Sequence, residues 1–168
     1  KDNLILLDTY FVKPQIIKSG KFTDNYFPSL ADHLKKSKKE YVYIPKWYGS
    51  RFPFDSFRIF KILKKDQDPV LTQYQILRMS DYLKTLWFLM LYPFSVFRLL
   101  KNLESSYEDK LINYAIWDVF DGVVIEHYMR FLMGQRLSLL LKGKIKCLSW
   151  YENLPIDKNF YSGLRHLP

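Results

Sequence analysis

The sequence predicts an α/β fold, a small Rossmann-like parallel sheet flanked by long helices, on three observations. Apolar or β-branched runs from Leu4 to Asp8, Glu40 to Ile44 and Ile145 to Tyr151 have the length and composition of strands. The connection between the first two carries a helical pattern, which makes them a βαβ unit. Apolar residues then recur at helical spacing from Ile76 to Leu103 and from Tyr107 to Leu141, too broadly for one narrow stripe.

Each element follows in order. Leu4-Ile5-Leu6-Leu7 closed by Asp8 reads as a central parallel strand whose carboxyl end faces a cleft. Residues 9–27 mix aromatics with Pro14 and Gly20 and read as a structured loop, after which Ser29 is expected to cap a helix from Leu30 to Lys38. Glu40-Tyr41-Val42-Tyr43-Ile44 is the second strand, ended by Pro45. Asp55 opens a helix through Lys65 with Phe57, Phe60 and Ile62 as its buried side chains, and Pro69 to Leu71 is a short third-strand candidate. The long helix from Ile76 should kink or divide near Pro93, and its aromatic stretch Trp87 to Phe97 reads most simply as core, ahead of interfacial membrane contact by Trp87, Tyr92 and Phe94 with Arg98 and Lys101, or packing against a missing lobe or partner subunit. Gly122 and Gly134 mark bends or close contacts in the next helix, and Gly143 stops it. After the strand at 145–151, a loop leads to a helix that starts at Pro155 or Asp157 and reaches Leu167. Such a unit ordinarily delivers the chain to another strand. Residues 1–168 are therefore expected to be a single α/β lobe, the N-terminal part of a two-lobe protein whose C-terminal lobe is missing.

The composition agrees with one ordered domain. Of 168 residues, 48% are apolar and 18% aromatic, ample for a buried core. The single cysteine, Cys147, forms no disulfide within the chain and reads as a small buried hydrophobe, so a reducing compartment is expected. Lys1-Asp2-Asn3 leads straight into an apolar run too short for a signal sequence. Thr85 to Leu100, interrupted by Pro93 and Arg98, falls short of the roughly 20 residues that span a bilayer. The expected location is cytoplasmic, with peripheral contact at the inner membrane. A net charge of +9 favours anionic partners. Nucleic acid is disfavoured among them, because no RNP-like strand motif or helix-turn-helix signature is present.

Motifs narrow the chemistry mainly by exclusion. GxGxxG, Walker, HExxH, GxSxG and CxxC patterns are all absent from the sequence. His33, His127 and His166 lack metal-ligand spacing, and His127 reads as a partly buried helix residue. The informative segment is Trp150-Tyr151-Glu152-Asn153-Leu154-Pro155-Ile156-Asp157-Lys158, followed by Gly163-Leu164-Arg165. It puts Glu152 at the carboxyl end of a strand, the edge where open α/β sheets bind ligands, just before a helix N-terminus that favours anions. A glutamate there serves as a base, orients a hydroxyl or caps the loop. Asp157 at the helix start reads as ordinary capping.

This segment resembles one found in bacterial surface-carbohydrate biosynthesis proteins of the O-antigen and capsule type, Glu-Asn-x-Pro-x-[Asp/Glu]-Lys ahead of a helix with Gly-Leu-Arg. In such proteins it looks like the junction between the two lobes of a GT-B-type glycosyltransferase. The resemblance implies transfer of a sugar from a nucleotide-activated donor to a glycan or lipid-linked acceptor, without a metal or other cofactor. Glu152 is the implied catalytic carboxylate, Asp8 joins it as a candidate by its place at the end of a central strand, and Tyr10, Tyr48, Arg51, Asn153 and Lys158 are the expected substrate-binding residues. The competing expectation is a non-catalytic binding module that assembles a polysaccharide complex.

Overall fold

The computed structural model describes residues 4–49, 53–66, 68–101, 110, 123–141 and 146–165. Within them the chain is an α/β protein with an open, fully parallel sheet of three strands and seven helices. It divides into two compact units, Lys1–Gln75 with Leu141–Glu152, and Ile76–Leu140 with Asn153–Pro168.

The first unit holds the sheet. Strand β1 (Ile5–Val12) lies in the centre, between β2 (Tyr41–Tyr48) and β3 (Lys146–Ser149). β2 pairs with β1 along its whole length, from Ile5↔Tyr41 to Val12↔Tyr48, whereas β3 pairs only from Ile5↔Lys146 to Asp8↔Ser149. Alternation along β1 and β2 then assigns the two faces. Ile5, Leu7, Phe11, Tyr41 and Tyr43 build the core with Ile16 of α1 (Lys13–Ser19), Leu34 of α2 (Leu30–Lys36), and Ile59 and Leu63 of α3 (Pro53–Leu63). Phe22 stacks on Phe11 with ring centroids 3.8 Å apart. On this face burial, with the neighbouring Asp68 carboxylate, pushes the Tyr41 hydroxyl up to about 12. Leu6, Asp8, Tyr10, Ile44 and Lys46 occupy the opposite face.

Both expected strand ends are corrected. β1 runs on past Asp8 to Val12, because the buried carboxylate is compensated inside the fold. β2 runs through Pro45. Tyr43 directs its N–H and C=O away from β1, to Pro69 and Leu71 at 2.8 Å each, and two residues on Pro45 takes the same orientation. Its missing N–H therefore falls on the side away from β1, where proline is tolerated. The third-strand candidate is reduced to one parallel bridge, Tyr43↔Val70. Ser29 precedes α2 in the left-handed region, φ 65°, and makes no side-chain cap. Phe57 is 76% exposed, since α3 turns Ile59 and Leu63 inward instead.

The second unit is helical. After the short α4 (Gln73–Ile76), α5 (Met79–Lys101) continues through Pro93, and it is joined by α6 (Val123–Leu141) and α7 (Pro155–Arg165). The Asp81 carboxylate accepts the Arg78 backbone N–H at 2.9 Å, closing the start of α5. It also takes a two-pronged contact from Arg136 of α6, at 2.9 and 2.8 Å. Gly134 is a close-contact point: a Cβ there would strike the Phe160 carbonyl of α7, and one on Gly163 would strike the Phe131 carbonyl of α6. The Arg130 guanidinium lies 4.3 Å from the centroid of the Phe160 ring. Residues 107–122, expected as the first half of a long helix, lie outside the described residues apart from Lys110.

Candidate functional site

After β1 the chain moves to one side of that strand for β2 and returns on the other for β3, so the strand order reverses between β1 and β3. The segments that leave adjacent parallel strands at such a reversal run to opposite faces of the sheet and leave a crevice at the carboxyl ends, the usual ligand position in open α/β sheets. β3 stops at Ser149, level with Asp8, and the chain turns away there while β1 continues.

The residues at that place form one connected network. Asp8 Oδ2 lies 3.3 Å from Lys46 Nζ, both side chains fully buried, and accepts the Ser149 hydroxyl at 2.9 Å. Lys46 Nζ also donates to the Trp150 carbonyl at 2.7 Å and to Ser149 Oγ at 3.3 Å, and sits 5.1 Å from the centroid of the Tyr10 ring. The buried pair thus fixes where the chain leaves β3. One step further, the Glu152 carboxylate is exposed and held at both oxygens, by the Tyr10 hydroxyl at 3.1 Å and the Trp150 indole N–H at 2.9 Å.

Aromatic rings surround this carboxylate. Tyr10 lies 5.4 Å from Tyr26 and 6.4 Å from Tyr48, and Trp150 lies 5.2 Å from Tyr26 and 6.3 Å from Phe27. Tyr26 and Phe27 are positioned by Asp24, whose Oδ1 accepts their backbone N–H groups at 2.9 and 3.1 Å and the Thr9 hydroxyl at 3.3 Å. Tyr48 ends β2 and leads into Gly49, whose φ of 98° and approach to Pro14 both exclude a side chain. Tyr48, Trp150 and Tyr151 are exposed. The result is a rigid carboxylate with open ring faces beside it, chemistry suited to a polar ligand that also has an apolar face, such as a saccharide.

Of the residues expected from sequence, Asp8, Tyr10, Tyr48 and Glu152 come together here. Asp8 is not at a strand's end but within β1, and has no exposed surface. Asn153 and Lys158 belong to the second unit. Asn153 has a φ of 61°, a left-handed conformation that asparagine tolerates, and Lys158 is exposed in the first turn of α7. Asp157 is fully buried in that same turn. Arg51 lies outside the described residues. Lys46, Ser149 and Tyr26 were not anticipated. Only Lys46 carried a signal, since extending the alternation of β2 past Pro45 sets it on the face of Asp8.

Cys147 is half-buried on β3. Burial holds the His127 imidazole of α6 below its ordinary value. Among the described residues no three His, Cys, Asp or Glu side chains gather as a metal site, and no helix is long and apolar enough to cross a membrane. No family model matches the chain, and neither a curated protein nor a solved structure matches it.

Proposed function

We propose that the chain is a glycosyltransferase-type lobe that moves a sugar from a nucleotide-activated donor to a glycan or lipid-linked acceptor in bacterial surface-polysaccharide assembly. The observation that carries this reading is the exposed Glu152 carboxylate, oriented by Tyr10 and Trp150 among open aromatic rings at the β1/β3 strand reversal. The resemblance of the 150–165 segment supplies the carbohydrate class. In the proposed step Glu152 takes the proton of an acceptor hydroxyl as its oxygen bonds to the anomeric carbon of the donor. The bond from that carbon to the diphosphate breaks, and the nucleoside diphosphate leaves with the electron pair. Sugar rings stack their C–H faces on Tyr48 or Trp150.

One observation favours a second reading, a saccharide-binding module without catalysis. Both oxygens of Glu152 already accept hydrogen bonds, which suits a fixed recognition group as well as a base. Glu152→Gln separates the two in the full-length protein, assayed by release of nucleoside diphosphate from a panel of nucleotide sugars. Loss of about 10²–10⁴-fold in kcat, with KM and melting temperature held, is the outcome expected of a base. Wild-type turnover in the variant would sink the catalytic role, and a raised KM at unchanged kcat would favour the binding module.

A further inference from the structure

Helix α5 has two opposed faces. Asp81, Thr85 and Val96 point inward, and Asp81 is engaged by Arg136. On the far side Met79, Leu83, Leu86, Met90, Phe94 and Phe97 follow one another at helical spacing, every one exposed, with Trp87 beside them. Trp87 is 61% and Phe94 73% exposed, which takes these two rings out of the expected core, whereas Phe88 in the same stretch stacks on Tyr128 of α6 at 4.2 Å. Single exposed apolar residues are ordinary, but a continuous row along a helix marks a surface that meets something apolar.

The charges on α5 select the partner. Its one acidic residue is the buried Asp81, so the charges it exposes are the cations Lys84, Arg98 and Lys101. Arg98 and Lys101 in the last turn also suit the helix dipole, which accounts for their position but not for the apolar row between them and Lys84. Trp, Phe, Leu and Met side chains flanked by Lys and Arg, with no exposed carboxylate, match the boundary between acyl chains and anionic headgroups. The chain's net charge of +9 acts in the same direction. A protein partner would meet an apolar face equally well, but nothing in that case asks for the absence of exposed carboxylates on α5. No helix among the described residues qualifies to cross a bilayer, so the contact is in the plane of the surface.

We propose that the exposed face of α5 is a docking surface for anionic membrane lipid, lying flat at headgroup depth with Trp87 and Phe94 inserted. The test is flotation of the full chain with vesicles of phosphatidylcholine alone or mixed with phosphatidylglycerol. The chain is expected to float with the mixed vesicles and to favour them over neutral ones. The double substitution Trp87→Glu with Phe94→Glu should lower the partition coefficient by more than about tenfold. Because both side chains are exposed, the variant's thermal melt should match that of the wild type. Replacing Lys84, Arg98 and Lys101 by Ser should remove the preference for the anionic vesicles. A wild-type chain that does not float, or an acidic double variant that floats equally well, overturns the proposal. So does a wild-type dimer that the double variant splits, since a second copy would then be the occupant.

Discussion

Lys46 and Asp8 carry opposite charges with no exposed surface, and each is kept in the fold by the other. Desolvating an ion pair costs several kcal/mol, which mutual attraction and the added hydrogen bonds from Ser149 and to Trp150 offset. Removing one partner takes away the opposite charge that lies 3.3 Å from the other inside the fold. Lys46→Met should therefore cost about 3–5 kcal/mol in urea unfolding, while Lys46→Met combined with Asp8→Leu should cost less than that single change. A loss below about 1 kcal/mol in the single variant would contradict a structural role for the pair. Asp8 drew notice in the sequence because a carboxylate follows an apolar run. Its partner did not, since Lys46 stands directly after a proline that reads as the strand's end. Glu152 was legible from its place after a strand, but the groups that orient it come from positions 10 and 150, and only tertiary pairing shows the first of these.

The strands and helices themselves were legible where run length and periodicity are long, and their ends were not. Helix α5 illustrates the limit: periodicity showed that the residues form a helix, yet the same apolar stripe describes a core face and an exposed one. Gly134 and Gly163 set how closely α6 and α7 approach. A methyl group on Gly134 would strike the Phe160 carbonyl and lie 2.8 Å from the Leu164 nitrogen. Gly134→Ala should then destabilise the second unit by about 3 kcal/mol, with native stability in the variant contradicting so close a packing. At Asp81 burial acts to raise the carboxyl, but the hydrogen bonds from Arg136 and the Arg78 backbone outweigh it and hold the group below its ordinary value. A depressed folded-state value means that this contribution to stability is complete above the unfolded value of about 4 and is lost as pH falls through the folded one. Asp81→Asn should flatten the decline in unfolding free energy between neutral and strongly acidic pH. An unchanged decline would assign it to other carboxylates.

At the scale of the whole molecule, the order β2-β1-β3 places a strand reversal where the carboxylate and the rings collect. Fold class followed from the sequence because β1 and β2, buried along most of their length, leave continuous apolar runs. The site did not follow in full, because Tyr10, Tyr26, Lys46 and Trp150 are brought together by register and by the Asp24 turn, which no local pattern encodes. Function is a further step, since this architecture supports many chemistries and only the site's groups distinguish them. The central claim is that a nucleotide sugar binds beside Glu152, and nuclear magnetic resonance of the four tryptophan indole N–H groups tests it most directly. Titration of nucleotide sugars should shift the Trp150 indole signal saturably in the wild type and leave it still in Tyr10→Ala. Saturating donor that leaves Trp150 unmoved, or that shifts the other indoles alone, would contradict the account.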